Sequence, residues 1–529
     1  MRVEDKERVG VEVTQRVLDH WTQGTDAVEH ALFDTIYEER RRLESEKKRS
    51  RAKKEGAFYN RIRHEALKAS PERQKELLKE IIGFFVEEVT GHFDPRVYEV
   101  ATRVVPPALS VLLNSVSPLR LLETIQGSDP LVDQLEVGGE IEAVKNAAKL
   151  GTTILVPTHS SNLDSILVGF ALYRIGLPPY TYGAGLNLFS NKLISFFMHN
   201  LGAYKVDRRK KAPVYKDVLK TYAGVSMEMD YHNLFFPGGT RSRSGAVEKK
   251  LKLGLLGMGL NAYIHNLQAK KKRPDIFVVP CTINYQLVLE AETLIGDHLK
   301  EVGKSRYIIE DDEFSKPKRI FDWVQKLFSL HSRIHLIVSK PLDVFGNQVD
   351  EQGVSRDDRG RPVERTRYVL QDGKPTFDRQ RDQEYTRELA RSIVDAYHRD
   401  TVIKSTNLVS MAVFDLLRNR CPEMDLYRLL RTGGSEESFS LQEVHNQVSR
   451  ALDTARKLSQ AGKVRLCETL SEKDTVAVVS EALAHLGSYH RHPALSRRGD
   501  RLFHGDRNLL LYYQNRLSGF GGLATEKKP

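Results

Sequence analysis

The residue pair best suited to acid–base chemistry is His159 and Asp164, which bracket the sequence HSSNLD between an apolar β-type run and a helical pattern. This spacing predicts a histidine at a strand's exit and an aspartate in the first turn of a helix. There the carboxylate can accept a hydrogen bond from the imidazole, fix its tautomer and raise the basicity of the other ring nitrogen, as a general base requires. With 17 histidines in the chain, one such spacing is also expected by chance, and Asp164 alone would favour a helix N-terminus through the helix dipole.

Glycines and arginines combine in the sequence FPGGTRSRSG at residues 236–245, again after a β-type run. Glycine lets backbone N–H groups approach a ligand, and Arg241 and Arg243 can grip one phosphate with their forked donors. We therefore predict an anion-binding loop, against the alternative of a structural turn with solvated arginines. The backbone N–H groups of Gly239 and Thr240 could instead serve a developing oxyanion.

Two further segments have the residue types of a ligand site but would not be singled out alone. The first is GAYKVDRR at residues 202–209, which is basic and contains Arg208. The second is VPCTINY at residues 279–285, which contains Pro280 and which we predict to be the exit of a strand over residues 275–285.

Apolar periodicity and turn residues divide the chain into four predicted regions. Residues 1–135 have helical spacing interrupted by prolines, which predicts a helical N-terminal domain. Residues 136–345 alternate short β-rich runs with helical segments, which predicts an α/β domain. Residues 346–384 are polar and predict an exposed loop or insertion, and residues 385–529 predict a helical C-terminal region.

Composition limits the class of protein. Lys and Arg number 81 against 70 Asp and Glu, a net charge of +11, and 40% of residues are hydrophobic, as in a chain that buries cores. Three scattered cysteines argue against a disulfide framework or a structural zinc site and for a reducing compartment. The first 15 residues lack the apolar core of a signal peptide.

Two segments bear on whether the protein binds membranes or nucleic acid. Residues 104–122 are the most apolar stretch but contain three prolines, an asparagine and an arginine, so we do not expect them to span a membrane. Residues 38–56 are nearly all charged, which predicts a solvated helix face, with contact to anionic headgroups or nucleic acid as alternatives. Because the basic runs lack interleaved aromatic residues, we expect no nucleic-acid partner.

Taken together and in this order, the four segments resemble the sequence blocks of the glycerolipid acyltransferases, which acylate glycerol-3-phosphate, dihydroxyacetone phosphate and lysophosphatidate. The blocks are His-x-x-x-x-Asp, a Gly…Arg block, a Phe-Pro-Glu-Gly-Thr-Arg-Ser-Arg block and a short apolar block with proline. Residues 405–417 and 505–517 further resemble the C-terminal part of the large membrane-associated glycerol-3-phosphate acyltransferases. The resemblance covers about two-fifths of the chain and implies an α/β catalytic domain with a mixed sheet between helical flanks.

The resemblance implies the roles of the site residues. His159 would deprotonate the acceptor hydroxyl while Asp164 orients it, and the alkoxide would attack the acyl thioester without a covalent acyl-enzyme. The acceptor phosphate would be bound by Arg208, Arg241 and Arg243, and Pro280 would be structural or line the acyl pocket. No cofactor or metal is expected, because acyl-CoA or acyl-acyl carrier protein is itself a substrate.

The same resemblance implies glycerol-3-phosphate as acceptor and lysophosphatidate as product, formed by a peripheral enzyme on the cytoplasmic face of an anionic membrane. Residues 186–201 would be an interfacial helix or an ordinary packed one. Lysophosphatidate or dihydroxyacetone phosphate remain alternative acceptors, since GAYKVDR is more like the short enzymes. Gly238 stands where the family often has Glu, which keeps a catalytically silent lipid-binding relative as a further alternative.

Overall fold

The computed structural model describes residues 3–23, 27–45, 50–99, 134–185, 200–302, 330, 332–431 and 437–523. The helices within these ranges are α1 Val3–Trp21, α2 Ala27–Ser45, α3 Ser50–Ala66, α4 Pro71–Val89, α5 Ile141–Leu150, α6 Asp164–Arg174, α7 Pro213–Glu228, α8 Leu253–Gln268, α9 Ala291–Val302, α10 Arg379–Arg399, α11 Ser405–Arg420, α12 Leu426–Arg431, α13 Leu441–Gln460, α14 Glu468–Glu472, α15 Thr475–Leu486 and α16 Arg507–Gln514.

The strands are β1 Leu135–Gly139, β2 Thr152–Pro157, β3 Thr181–Gly185, β4 Ala203–Val206, β5 Asn233–Leu234, β6 Ile276–Asn284, β7 Ile334–Val338, β8 Gln348–Val349, β9 Ser355–Arg356, β10 Pro362–Val363, β11 Leu370–Gln371, β12 Lys374–Pro375, β13 Val402–Ile403, β14 Ser438–Ser440, β15 Arg465–Leu466, β16 Leu495–Arg498 and β17 Arg501–His504. Two short 3-10 helices, Arg365–Val369 and Asn515–Leu517, complete the elements of the described residues.

A seven-stranded mixed sheet in the order β1-β7-β6-β2-β5-β3-β4 forms the centre of the protein. The five strands from β6 to β4 run parallel, whereas β7 pairs antiparallel with β6 and parallel with β1. β2 and β6 are buried along their whole length because helices cover both faces of the sheet. The predicted α/β class, with a mixed sheet and helical flanks, is confirmed.

The N-terminal helices α1 to α4 pack on one another and on α7. α4 shows why this segment is helical: Ser70 accepts a hydrogen bond from the Arg73 N–H as N-cap, Pro71 occupies the first turn, and apolar residues recur at three- and four-residue spacing. That spacing buries one face of the helix, including Phe85. The N-terminal helices therefore reach the catalytic region through α7.

The regions after the central sheet contain more strand than the sequence indicated. The polar stretch 346–384 holds the pairs β8 to β10 and β11 to β12, and α10 already begins at Arg379, capped by the Asp378 side chain. The C-terminal region contains the three-stranded sheet β14-β17-β16 as well as helices. One hydrophobic core joins this region to the central sheet, since it contains residues from Leu135 to Leu523; the predicted domain boundaries themselves stay predictions.

Two strands of the sheet, β1 and β4, were not expected from the sequence. β1 ends in two glycines and β4 contains a lysine, so neither has the continuous apolar run that marks β2 and β6. Both lie at the outer positions of the sheet, where a strand has one neighbour only. Among the helices of the described residues, none combines the length and apolarity needed to cross a membrane.

Candidate active site

The four sequence blocks meet because each follows a parallel strand at the same edge of the sheet. His159 follows β2, Arg208 follows β4, the 236–245 segment follows β5, and Tyr285 follows β6. In α/β sheets, ligands bind at the carboxyl ends of parallel strands, where the loops after different strands converge. The topology thus assembles residues more than 120 positions apart, such as Tyr285 and Asp164, which are hydrogen-bonded.

The His159 and Asp164 side chains form the predicted pair, with Nδ1 of the imidazole 2.8 Å from Oδ2 of the carboxylate. The Asp164 side chain is fully buried, whereas the His159 side chain keeps 14% of its surface exposed. Nδ1 therefore donates to the carboxylate, which leaves Nε2 as the nitrogen that can take a proton. This is the geometry of a general base with an orienting carboxylate.

Asp164 is held by the loop before it rather than by its own helix. Oδ2 also accepts hydrogen bonds from the backbone N–H groups of Ser160, at 2.6 Å, and Ser161, at 2.8 Å, and the Tyr285 hydroxyl donates to Oδ1. The carboxylate consequently faces His159 instead of capping α6, although the helix dipole still favours its charge. Burial, followed by the Asp164 charge, raises the pKa of Tyr285 far above its ordinary value, so this hydroxyl remains a donor.

The backbone of His159 is fixed by the loop that follows β5. Its N–H donates to Oε1 of Glu248 at 2.8 Å, and its carbonyl accepts from the Ser242 N–H at 2.7 Å. The imidazole also stacks on the Phe236 ring, with centroids 4.1 Å apart. The arginine-bearing loop and the histidine thus form one unit.

Of the three consecutive basic residues at 208–210, Arg208 is the one available to bind an anion. The Arg209 guanidinium folds onto the Asp207 carboxylate at 2.8 and 2.9 Å, and Lys210 is buried against the N-terminal helices. The side chain of Arg208 is exposed, and in the described part of the chain no acidic group pairs with it. Desolvation by the surrounding protein, then the charges of Arg241 and Arg243, lower the pKa of Arg208.

Arg241 and Arg243 have acidic partners of different kinds. Arg241 contacts Oε1 of the fully buried Glu290 at 3.2 Å, whereas Arg243 pairs at 2.7 Å with Glu301, whose side chain is 65% exposed. Because Arg208 experiences the positive charge of both, the three guanidinium groups lie near one another. Arg241 and Arg243 are paired with glutamates, but Arg208 adds a further positive charge, so the arrangement favours an anion beside the three.

Burial is the largest influence on the acid–base state of His159 and lowers its pKa. The Asp164 carboxylate opposes this shift, whereas Arg241 and Arg208 reinforce it. The net result is a pKa of His159 below the ordinary histidine value of about 6.5, so the imidazole stays neutral to lower pH than usual. A neutral imidazole is the form that can accept a proton.

The turn at Gly238 and Gly239 limits which backbone groups can meet a substrate. Gly239 has a φ of +78°, a left-handed conformation that favours glycine, and its N–H donates to the Phe236 carbonyl at 3.1 Å. The N–H of Gly239 is thus used inside the turn. Of the two backbone donors predicted for an oxyanion, this leaves the N–H of Thr240.

Pro280 lies inside β6, and the strand exit of this block is at Tyr285. β6 continues to Asn284, and Tyr285 is the residue that follows it. A proline has no N–H to donate, and β7 pairs with β6 only from Cys281 onward. Pro280 therefore sits just before the start of that ladder, buried in the sheet, which is a structural position.

The buried Glu290, the partly buried Glu248 and the buried Arg516 gave no signal in the sequence. Glu290 accepts from the Ser161 hydroxyl at 2.7 Å and the Asn162 N–H at 3.0 Å, in addition to its contact with Arg241. Glu248 lies in the charged run EKK, which reads as solvated surface. Arg516 is buried and donates to the Asn284 side chain at 2.9 Å and the Ile283 carbonyl at 3.2 Å.

The C-terminal helix α16 packs directly on the arginine-bearing loop. Asn515 donates to the Ser244 carbonyl at 2.9 Å. Gly245 lies so close to Tyr512 that an added Cβ would be 2.2 Å from its carbonyl oxygen, and its φ is +82°. Gly245 is therefore required both by its backbone conformation and by this contact.

Comparison with known proteins agrees with this geometry. Residues 140–284, which contain the first three blocks and the fourth up to Asn284, match the family model described as Acyltransferase. The chain therefore contains an acyltransferase domain, and the resemblance inferred from the blocks is confirmed for it. No three His, Cys, Asp or Glu side chains within the described ranges are grouped as metal ligands would be.

The relatives that the chain matches are named glycerol-3-phosphate acyltransferase. That of Pseudomonas entomophila (strain L48) is 27% identical over 291 residues, covering 55% of this chain and 32% of the relative. That of Pseudomonas putida (strain W619) is 25% identical over 315 residues, covering 59% of this chain and 34% of the relative. The chain spans about a third of the length of these curated relatives.

Among solved structures, the 1-acyl-sn-glycerophosphate (LPA) acyltransferase PlsC of Thermotoga maritima also aligns. It is 16% identical, covers 48% of this chain and 86% of its own, and has a TM-score of 0.24, so no conclusion is based on it. The apolar stretch 104–122 and most of the segment 186–201 lie outside the described residues. Their predicted roles stay predictions.

Proposed function

We propose that the protein transfers a fatty acyl group from an acyl thioester to the sn-1 hydroxyl of glycerol-3-phosphate, giving lysophosphatidate. The observation that carries this proposal is the position of the His159–Asp164 pair beside three converging arginines. A base next to an anion site suits an acceptor that carries a hydroxyl and a phosphate. The names of the relatives support glycerol-3-phosphate as that acceptor.

In the proposed reaction, Nε2 of His159 takes the proton of the acceptor hydroxyl as its oxygen attacks the thioester carbonyl. Asp164 stabilises the imidazolium that forms, and the N–H of Thr240 is proposed to bind the oxyanion. Collapse of the tetrahedral intermediate breaks the C–S bond, and the proton passes from His159 to the departing thiolate. No metal or redox cofactor takes part in these steps.

Arg208, Arg241 and Arg243 are proposed to bind the acceptor phosphate. Arginine suits this task because its planar fork can form two hydrogen bonds to one phosphate. The partner of Arg241, Glu290, is fully buried, whereas the partner of Arg243, Glu301, is exposed. A doubly charged phosphate would also relieve the repulsion among the three guanidinium groups.

The proposed setting is the cytoplasmic face of a membrane, with the protein bound peripherally. The donor is a long-chain acyl thioester, either acyl-CoA or acyl-acyl carrier protein, and the product is amphipathic. A basic chain with a net charge of +11 suits an anionic surface.

Purified protein incubated with glycerol-3-phosphate and long-chain acyl-CoA, and separately with acyl-acyl carrier protein, tests this proposal. We expect lysophosphatidate to form with at least one donor. Lysophosphatidate and dihydroxyacetone phosphate are offered as competing acceptors in the same assay. Preferential acylation of either would replace glycerol-3-phosphate as the acceptor, and no transfer to any of the three would leave a silent lipid-binding relative.

A further inference from the structure

We propose that Glu248 is a positioning residue of this site, whose carboxyl group fills the space of a side chain missing at Gly238 and holds the His159 backbone. Its part in turnover rests on the function proposed above. The shared space of positions 238 and 248 is a separate, structural claim. Glu248 belongs to none of the four sequence blocks, since the third ends at Gly245 and the fourth begins at Val279.

The first observation is steric. A Cβ added to Gly238 would lie 3.2 Å from Cγ of Glu248 and 3.5 Å from its Oε1. Gly238 does not have the left-handed backbone of its neighbour Gly239, so its conformation accepts any side chain. A glutamate at 238 would thus reach the position that the Glu248 carboxyl group now occupies, ten residues further along the chain.

The second observation is the hydrogen bond from the His159 N–H to Oε1 of Glu248, at 2.8 Å. Together with the bond from the Ser242 N–H to the His159 carbonyl, it fixes the backbone on both sides of the imidazole. Both partners come from the loop after β5, so Glu248 links the placement of the base to the placement of the arginines. Such anchoring keeps a catalytic group within the narrow range of productive geometry.

The third observation is electrostatic. Burial raises the pKa of the Glu248 carboxyl, the Asp164 charge raises it further, and Arg516 and the His159 N–H oppose this shift. Oε2 of Glu248 is buried and accepts no hydrogen bond from the described residues. A buried carboxyl oxygen without a donor is uncommon in folded proteins, and this one belongs to the residue that binds the His159 backbone.

A mutational cycle between positions 238 and 248 tests the proposal on the full chain. Glu248→Ala should lower kcat about tenfold or more with little change in the acceptor KM, because His159 loses its anchor while the phosphate site remains. Glu248→Gln retains an acceptor for the His159 N–H and should recover most of this loss. Lys250→Ala, two positions away and exposed, is the matched control and should behave as the wild type.

Relocating the carboxyl group is the decisive step. Gly238→Glu alone should lower kcat, since two carboxyl groups then compete for one buried space. Gly238→Glu combined with Glu248→Ala should recover to within about threefold of the wild type, a coupling that independent sites do not show. A double variant no better than Glu248→Ala, or a Glu248→Ala variant with wild-type kcat, would overturn the proposal.

The unfolding free energies of the same variants, measured with denaturant, separate this inference from the proposed function. Gly238→Glu should destabilise the wild-type protein more than it destabilises the Glu248→Ala variant, whatever reaction the site performs. If no acceptor is acylated but this coupling is present, the proposed function fails and the shared space stands. If transfer occurs but the coupling is absent, the inference fails alone.

Discussion

At the scale of single residues, the protonation of His159 connects base strength to acceptor binding. In the free protein, burial and then the nearby Arg241 and Arg208 lower its pKa, against the effect of Asp164. A phosphate bound between the arginines would cancel part of their positive charge. The imidazole should therefore become a stronger base at the moment when the hydroxyl arrives.

The pH dependence of the reaction should follow from this. The acid limb of kcat/KM, which reports the free enzyme, should lie below the ordinary histidine value of about 6.5, and the limb of kcat should lie at higher pH. Arg241→Gln removes a positive charge that disfavours the imidazolium, so the pKa of His159 rises and the kcat/KM limb moves to higher pH. A limb that stays in place or moves to lower pH would contradict this electrostatic account.

The catalytic pair itself can be tested directly. His159→Ala should lower kcat by about 10²–10⁴-fold, the usual contribution of a general base, and leave glycerol-3-phosphate binding intact. Asp164→Asn should also lower kcat with little effect on acceptor binding, because it weakens orientation and imidazolium stabilisation. The exposed His64→Ala is the control. Near-wild-type turnover of His159→Ala, with binding measured by calorimetry, would remove His159 from the mechanism.

At the scale of elements, the N-terminal helices hold the loop that carries Arg208. Lys210 has no exposed side-chain surface, and its Nζ lies 2.7 Å from Oε2 of Glu88 on α4 and 3.3 Å from Oε2 of Glu39 on α2. It also lies over the Phe85 ring, 4.7 Å from its centroid. A buried ion pair between elements fixes their register more than it adds stability.

Replacing Lys210 should therefore affect both stability and acceptor binding. Lys210→Met leaves Glu39 and Glu88 buried with one cation fewer, which should cost about 3–5 kcal/mol of unfolding free energy. Because Arg208 is two residues away, the acceptor KM should rise while kcat changes little. The adjacent, exposed Lys211→Met is the control and should alter neither quantity. An unchanged KM in folded Lys210→Met protein would show that Arg208 is placed without help from these helices.

Some residues of the site could be predicted from the sequence, and others could not. His159 and Arg241 follow predicted strands, and parallel strands bring such exits to one edge, so their proximity followed from local patterns. Arg208 follows β4, which the sequence did not predict. Glu248 and Arg516 could not be found in this way. Their positions depend on the path of a loop and on packing over long sequence separations, which leave no periodic or motif signal. α10 was started too late because its first turns are polar and only its Asp378 cap marks the beginning.

At the scale of the whole molecule, membrane association should depend on charge. With a net charge of +11 and no spanning helix among the described residues, we expect binding to anionic vesicles that weakens as salt is added. At about 0.15 M ionic strength, charges are screened beyond roughly 8 Å. Co-sedimentation with anionic and neutral vesicles across a salt series measures this. Retention that resists both salt and alkaline carbonate would require an inserted segment.

The contact of α16 with the arginine-bearing loop also has a consequence for biosynthesis. Asn515 follows Ser244 by 271 positions, so the loop leaves the ribosome long before the residue that holds it. At about 5–20 residues per second, the delay is roughly 15–55 s. A nascent chain therefore carries the histidine and arginines for roughly 15–55 s without the contact from Asn515, and interrupted translation would leave fragments with an incomplete centre. The reactive groups are therefore synthesised well before the site that they form can assemble.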